Sequence, residues 1–114
     1  MKIFEITLPM PPSDNHLYGQ RGKIRFMFKE GQDWKKMAQL LAKREYKKEP
    51  TNEELVGDIV FYLKRDRDVM GSGKLIWDSF QGIVYKNDSQ LTHVSFHKMK
   101  DKENPRVVIR VETL

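Results

Sequence analysis

Asp66 and Asp68 stand two residues apart in Lys64-Arg-Asp-Arg-Asp-Val-Met-Gly-Ser-Gly-Lys74, flanked by Arg65 and Arg67 and followed by Gly-Ser-Gly and Lys74. In extended backbone, residues i and i+2 point to one side, so both carboxylates can address one hard cation such as Mg2+ or Mn2+. A third acid is needed. Asp88, in Tyr85-Lys-Asn-Asp-Ser-Gln90, is the candidate, with Asp78 second to it. The same Asp-x-Asp beside arginines also describes a loop of solvated ion pairs, and the spacing alone does not choose between them.

The glycines do not form a nucleotide-binding loop. That loop needs Gly-x-x-x-x-Gly-Lys-Ser/Thr, whereas Gly73-Lys74 is followed by Leu75, and Asp68 occupies the place of the first glycine. No nucleotide cofactor is expected. His93 and His97 fall in a segment that reads as strand, which points to solvent-facing or locally bonded imidazoles rather than zinc ligands. His16 sits in a polar loop. No serine has the surroundings of an activated nucleophile, and the absence of cysteine excludes thiol catalysis and disulfides.

With 114 residues, 39% hydrophobic and 32% charged, the chain has the make-up of one globular domain over 1–114. The prolines and Glu5 of the amino terminus break any signal-like apolar run, and no later segment is long enough to span a membrane, so an intracellular, cytoplasmic protein is expected. The net charge of +5 is unevenly placed. Residues 1–50 hold 11 Lys and Arg against 6 acids, while residues 51–114 hold 10 of each. This asymmetry suits a face that meets a polyanion, nucleic acid above all, and equally suits a basic helix kept wet by its lysines.

Several elements must position these groups. Lys2–Leu8 alternates as a strand and is ended by prolines 9, 11 and 12; an irregular loop and a short extended piece over Ile24–Phe28 follow. Trp34, Met37, Ala38, Leu41 and Ala42 recur at helical spacing and predict a helix from Glu30 to about Lys47. Leu55 to about Lys64 reads as a buried strand, and a short helix is expected from Ser72, as cap, to Gly82. A strand–helix–strand unit is expected to return the Asp88 loop to the end of the strand preceding Asp66. Leu91–Met99 and Arg106–Leu114 are expected to pair antiparallel across Lys100–Pro105. Together these predict an α+β domain of two layers, a mixed β-sheet with one long and one short helix. Trp77, Tyr85 and Met27 are candidates for an interface or for the core.

The succession Ile6-Thr-Leu-Pro-Met-Pro-Pro-Ser-Asp-Asn-His-Leu-Tyr18, Glu30-Gly-Gln-Asp-Trp-Lys-Lys36, Asp66-x-Asp68, a helical lysine, Trp77-Asp-Ser-Phe80 and Asn87-Asp-Ser-Gln90 resembles the RusA-type Holliday junction resolvases over nearly the whole chain. The resemblance implies a homodimeric, Mg2+-dependent endodeoxyribonuclease, with Mn2+ able to substitute, that makes paired nicks in four-way DNA junctions during recombination and repair. Such enzymes are typically encoded by phages and prophages. It implies Asp66, Asp68 and Asp88 as metal ligands and, with Lys74, as the catalytic set. Asn15 matches the Asn of the amino-terminal motif, and Asp78 an acidic position of the helix. The chain departs from the family pattern at Val69, where Asn is usual, at Asn87, where an acid is common, and in a longer stretch from Asp68 to Lys74.

On this reading the carboxylates hold the ions that activate water and neutralise charge on the scissile phosphate. Lys74 offsets charge developing in the transition state. Arg65 and Arg67 hold neighbouring phosphates. The basic stretch opening with Arg21, Lys23 and Arg25 and running to Lys48 follows the duplex arms without reading bases. Two alternatives stand beside it: a non-catalytic nucleic-acid-binding protein, and a nuclease acting on a broader range of branched substrates.

Overall fold

Strict alternation decides the centre of the sheet: from Leu55 to Leu63 every odd-numbered residue is buried and every even-numbered one half-buried. Such a strand lays one face on the core, leaves the other partly open to solvent, and needs a neighbour on both edges. In the computed structural model, which describes Met1–Leu114, the elements run β1 (Lys2–Pro9), β2 (Tyr18–Arg21), β3 (Ile24–Met27), α1 (Lys29–Glu45), β4 (Leu55–Leu63), α2 (Met70–Phe80), β5 (Leu91–Lys100) and β6 (Arg106–Thr113). Single 3-10 turns cover Asp14–His16 and Asp88–Gln90. The main sheet has the order β1-β6-β4-β5, while β2 and β3 form a separate ribbon.

One core joins the sheet to both helices: Trp34, Ala38 and Ala42 from α1 and Leu75, Ile76, Trp77 and Phe80 from α2 share it with Ile59, Phe61 and Ile109. Each large side chain buried there contributes about 1.5–3 kcal/mol. Trp77 and Tyr85 belong to this core, and Met27 is half-buried against it. The opposite sheet face is polar, with Arg110 bonded to Glu5 across the β1–β6 pair and Ser95 to Asp58 across β4–β5. A mixed two-layer α+β sheet is therefore what the chain builds.

Two expectations about pairing are corrected. β5 and β6 do not form a hairpin: β6 lies antiparallel between β1 and β4, and β5 pairs only with β4, in parallel. The reason is burial. β6 buries Val107, Ile109 and Val111 and takes an interior place, whereas β5 has no fully buried residue and takes the edge. The Lys100–Pro105 segment crosses over the end of β4, held by the Asp101 amide donating to Leu63 O at 2.8 Å and by the Arg106–Asp101 ion pair at 2.8 Å.

The second correction concerns Asp88. Parallel pairing aligns Leu55 with Leu91 and Leu63 with Lys100, so α2 carries the chain back to the start of β4, not to its end. Asp66 and Asp68 follow the end of β4, and Asp88 precedes the start of β5. The 11 residues of α2, roughly 16 Å of helix, lie between them.

Candidate active site

The first turn of α2 explains its sequence. A helix begins with donors that have no partner within it. Here the Met70 amide donates to Asp68 Oδ1 at 3.1 Å, the Gly71 and Ser72 amides to the two oxygens of Asp14 at 3.0 Å each, and the Gly73 amide to Val69 O at 2.8 Å. Ser72 Oγ adds bonds to Asp14 and Pro12 O, both at 3.1 Å. Asp14, distant in sequence, is thus the cap, and the helix starts at Met70 rather than Ser72. A side chain on Gly71 would meet the Asp14 carboxylate and one on Gly73 would overlap the Phe96 ring. Gly-Ser-Gly is a docking surface for the helix end, and no amide is left over to cradle a phosphate.

Asp66 and Asp68 project at this end, both exposed. The Asp66 side chain is 85% accessible and receives the Lys98 ammonium at 2.7 Å; that bond and the lysine's charge hold its carboxyl below the usual range. Arg67 turns the other way. Half-buried, it donates from Nη2 to Pro11 O at 2.8 Å, and burial lowers its pKa despite the charge of Asp14. It holds the Pro11–Asp14 loop to the Asp-x-Asp segment, which leaves Arg65 as the exposed arginine of the pair.

Beside Asp66 a cleft of ≈ 630 Å3 is lined by Leu63, Lys64, Arg65, Asp66 itself, Lys98, Met99, Lys100 and Lys102, while Asp68 stays outside it at the start of α2. Cations dominate it. Sequence reasoning missed Lys98, Lys100 and Lys102, whose signal was the alternating Lys-x-Lys-x-Lys at the end of β5: alternation along a strand aims such residues together. Lys74, with a side chain 72% accessible, stands one turn further along α2 and reaches Asp78 at 3.3 Å. Asn15 is exposed in the turn after Asp14, and Arg21, Lys23 and Arg25 are exposed on the ribbon that follows.

Asp78 and Asp88 belong to the other end of α2. Both act on Tyr85, whose hydroxyl donates to Trp77 O; burial first, then the two negative charges, raise the phenol's pKa and keep it the donor. The Asp88 amide donates to Gln81 Oε1 at 3.0 Å, and Asn87 and Gln90 close a capping box around the turn. Gln90 Nε2 also donates to Thr51 O and Glu53 O at 2.9 Å each. No three acids or histidines of the chain come close enough together to hold a metal ion. The structure brings Asp66 and Asp68 to one end of α2 and leaves Asp88 at the other. No helix is long and apolar enough to cross a membrane.

An exposed carboxylate in a cleft of lysines and arginine, with a second two residues along the chain, is a class of site that suits phosphodiester hydrolysis. The family model for endodeoxyribonuclease RusA matches residues 9–112, and the chain belongs to that family. No curated protein matches it.

Proposed function

We propose that the protein is a metal-dependent, structure-specific DNA endonuclease that resolves four-way junctions by paired symmetric nicking, in the cytoplasm of a bacterial or phage-infected cell. The observation that carries this reading is the exposed Asp66 on the wall of the cationic cleft, with exposed Asp68 two residues on at the start of α2, in a chain of the endodeoxyribonuclease RusA family. Carboxylate oxygens suit Mg2+ or Mn2+. Such an ion, when bound, supplies an acidified water and neutralises charge on the phosphate.

The chain's own groups do the rest. Arg65, Lys64, Lys100 and Lys102 hold phosphates on either side of the cut, and Lys98 keeps Asp66 ionised and oriented. Lys74 presents a point charge to the phosphate as negative charge develops. One chain offers two carboxylates here. Asp88 joins them when two copies meet about a two-fold axis with their α2 helices running in opposite directions, so that the Asp88 end of one faces the Asp68 end of the other. This homodimer has two equal sites, which suits the approximate two-fold symmetry of an open junction.

The test is nicking of a synthetic four-way junction with and without Mg2+ or Mn2+, beside fork, linear duplex and RNA substrates. Junction-selective, divalent-dependent paired nicks are expected. Tight binding with no turnover under any divalent ion would leave a DNA-binding protein without catalysis, and equal cleavage of forks would broaden the substrate class.

A further inference from the structure

The β2–β3 ribbon is unlike the rest of the surface. It turns at Gly22, whose φ of +61° is open to glycine at little cost, and its register pairs Gly19 with Phe26 and Arg21 with Ile24. Paired residues share a face, so Gly19, Arg21, Ile24 and Phe26 lie together on one side. Phe28 packs edge-on against Phe26, with ring centroids 5.3 Å apart. Gly19 makes room for both rings, because a Cβ there would come within 2.6 Å of Phe26 and 2.8 Å of Phe28. The rings lie across bare backbone yet stay 41% and 39% exposed, and Ile24 near the tip is 68% exposed.

Such an apolar face on a projecting ribbon needs an occupant, and its charge surroundings restrict what that is. From Leu17 to Lys29 the chain carries Arg21, Lys23, Arg25 and Lys29 and no acid. Arg25 stacks on the Tyr18 ring, 4.1 Å from its centroid, on the opposite side of the ribbon. At the ribbon's foot a cleft of ≈ 400 Å3 is lined by Met27, Gln32, Lys35, Lys36 and Gln39, lysines and amide donors that suit a phosphate chain. A protein segment covering this face would have to be strongly acidic. Exposed aromatic rings set among cations suit a nucleobase, whose flat apolar face stacks while its phosphates pair.

The ribbon is also fixed beside the acids. It leaves the 3-10 turn whose Asp14 caps the first turn of α2, immediately after Asp68, and the Phe28 amide closes its base on Leu17 O at 2.8 Å. We propose that Phe26 and Phe28, with Ile24 at the tip, form a stacking wedge for bases at the branch point of the DNA, while Arg21, Lys23 and Arg25 hold the adjoining phosphates. This rests on the junction-cleaving function argued above and adds its means of recognising the branch. A linear duplex, whose bases are all stacked on each other, offers the rings nothing.

The test places 2-aminopurine at the branch point of a four-way junction and, separately, within a linear duplex, and titrates each with wild type, Phe26→Ala, Phe28→Ala and Phe26→Trp. Wild type should change the fluorescence at the branch and not in the duplex. Each alanine variant should weaken junction binding roughly 5- to 100-fold with linear-duplex binding unchanged, and Phe26→Trp should restore both affinity and signal. Alanine variants that bind the junction as wild type does, or that lose junction and duplex binding equally, overturn the wedge. Variants that lower the solution mass of the protein overturn it too, by making the rings part of an interface between copies. Wild type that binds no branched DNA at all overturns the underlying function; binding with a silent branch-point probe overturns the wedge alone.

Discussion

The two ends of α2 are both acidic, yet they are built in opposite ways. At the amino-terminal end Asp14 and Asp68 satisfy the helix donors, Asp66 stands out in solvent with Lys98 as partner, and lysines and arginine surround the group. At the carboxy-terminal end Asp78 and Asp88 flank a buried tyrosine, and Asn87, Gln90 and Gln81 fasten the turn to the body. Acidic residues alone do not mark a phosphate-handling site. What distinguishes the first end is a carboxylate left accessible within a cationic surround, where on the proposed reading an ion and a polyanion would arrive together, Asp88 reaching that surround only from a second copy.

The sharpest way to break this comparison is Asp68→Asn. The amide oxygen can still accept the Met70 bond, so folding should persist while nicking falls by roughly 100-fold or more, with junction binding retained. Normal nicking by this variant would remove Asp68 from the site. Mixing Asp68→Asn with Asp88→Asn protein asks whether the two ends cooperate across a dimer. Hybrids in which each site draws on both copies regain one intact site and make single nicks; if each chain works alone, the mixture is dead.

Smaller effects separate the packing role of Gly-Ser-Gly from a phosphate role. Gly73→Ala drives a methyl into Phe96 and should cost about 1–3 kcal/mol in denaturant unfolding, with little change in DNA affinity at temperatures where the protein stays folded. Asp14→Ala leaves two helix amides without a partner and should cost about 1–2 kcal/mol. Lys74→Ala should leave stability unchanged and slow cleavage more than it weakens binding; equal losses in both would make Lys74 a positioning contact only.

Much of the frame was legible in the sequence because it depends on periodicity: β1, α1 and β4 follow from the spacing of Phe4, Trp34 and Ile59 with their neighbours. Strand order was harder. Nearness along the chain and a turn-rich Lys100–Pro105 favoured a β5–β6 hairpin, and only the contrast between polar Leu91–Lys100 and apolar Val107–Val111 told edge from interior. Asp66 and Asp68 were legible as a pair because two-residue spacing is local. The place of Asp88 was not, because it depends on whether the strands joined through α2 run in the same direction. Asp14 escaped notice for a related reason: its partners lie more than fifty positions away, and a cap borrowed from another segment leaves no local pattern.

The crossover through α2 also makes that helix a gauge. Because both of its ends are pinned, one by Asp14 and the other by the Tyr85 hydroxyl, its length cannot drift with loop mobility. Splicing in four residues, a little over one turn, would move the two acidic ends apart by about 6 Å and rotate one against the other by about 40°. A dimer that spaces its cuts by this gauge would then misplace them as a pair, while each monomer still folded around the same sheet.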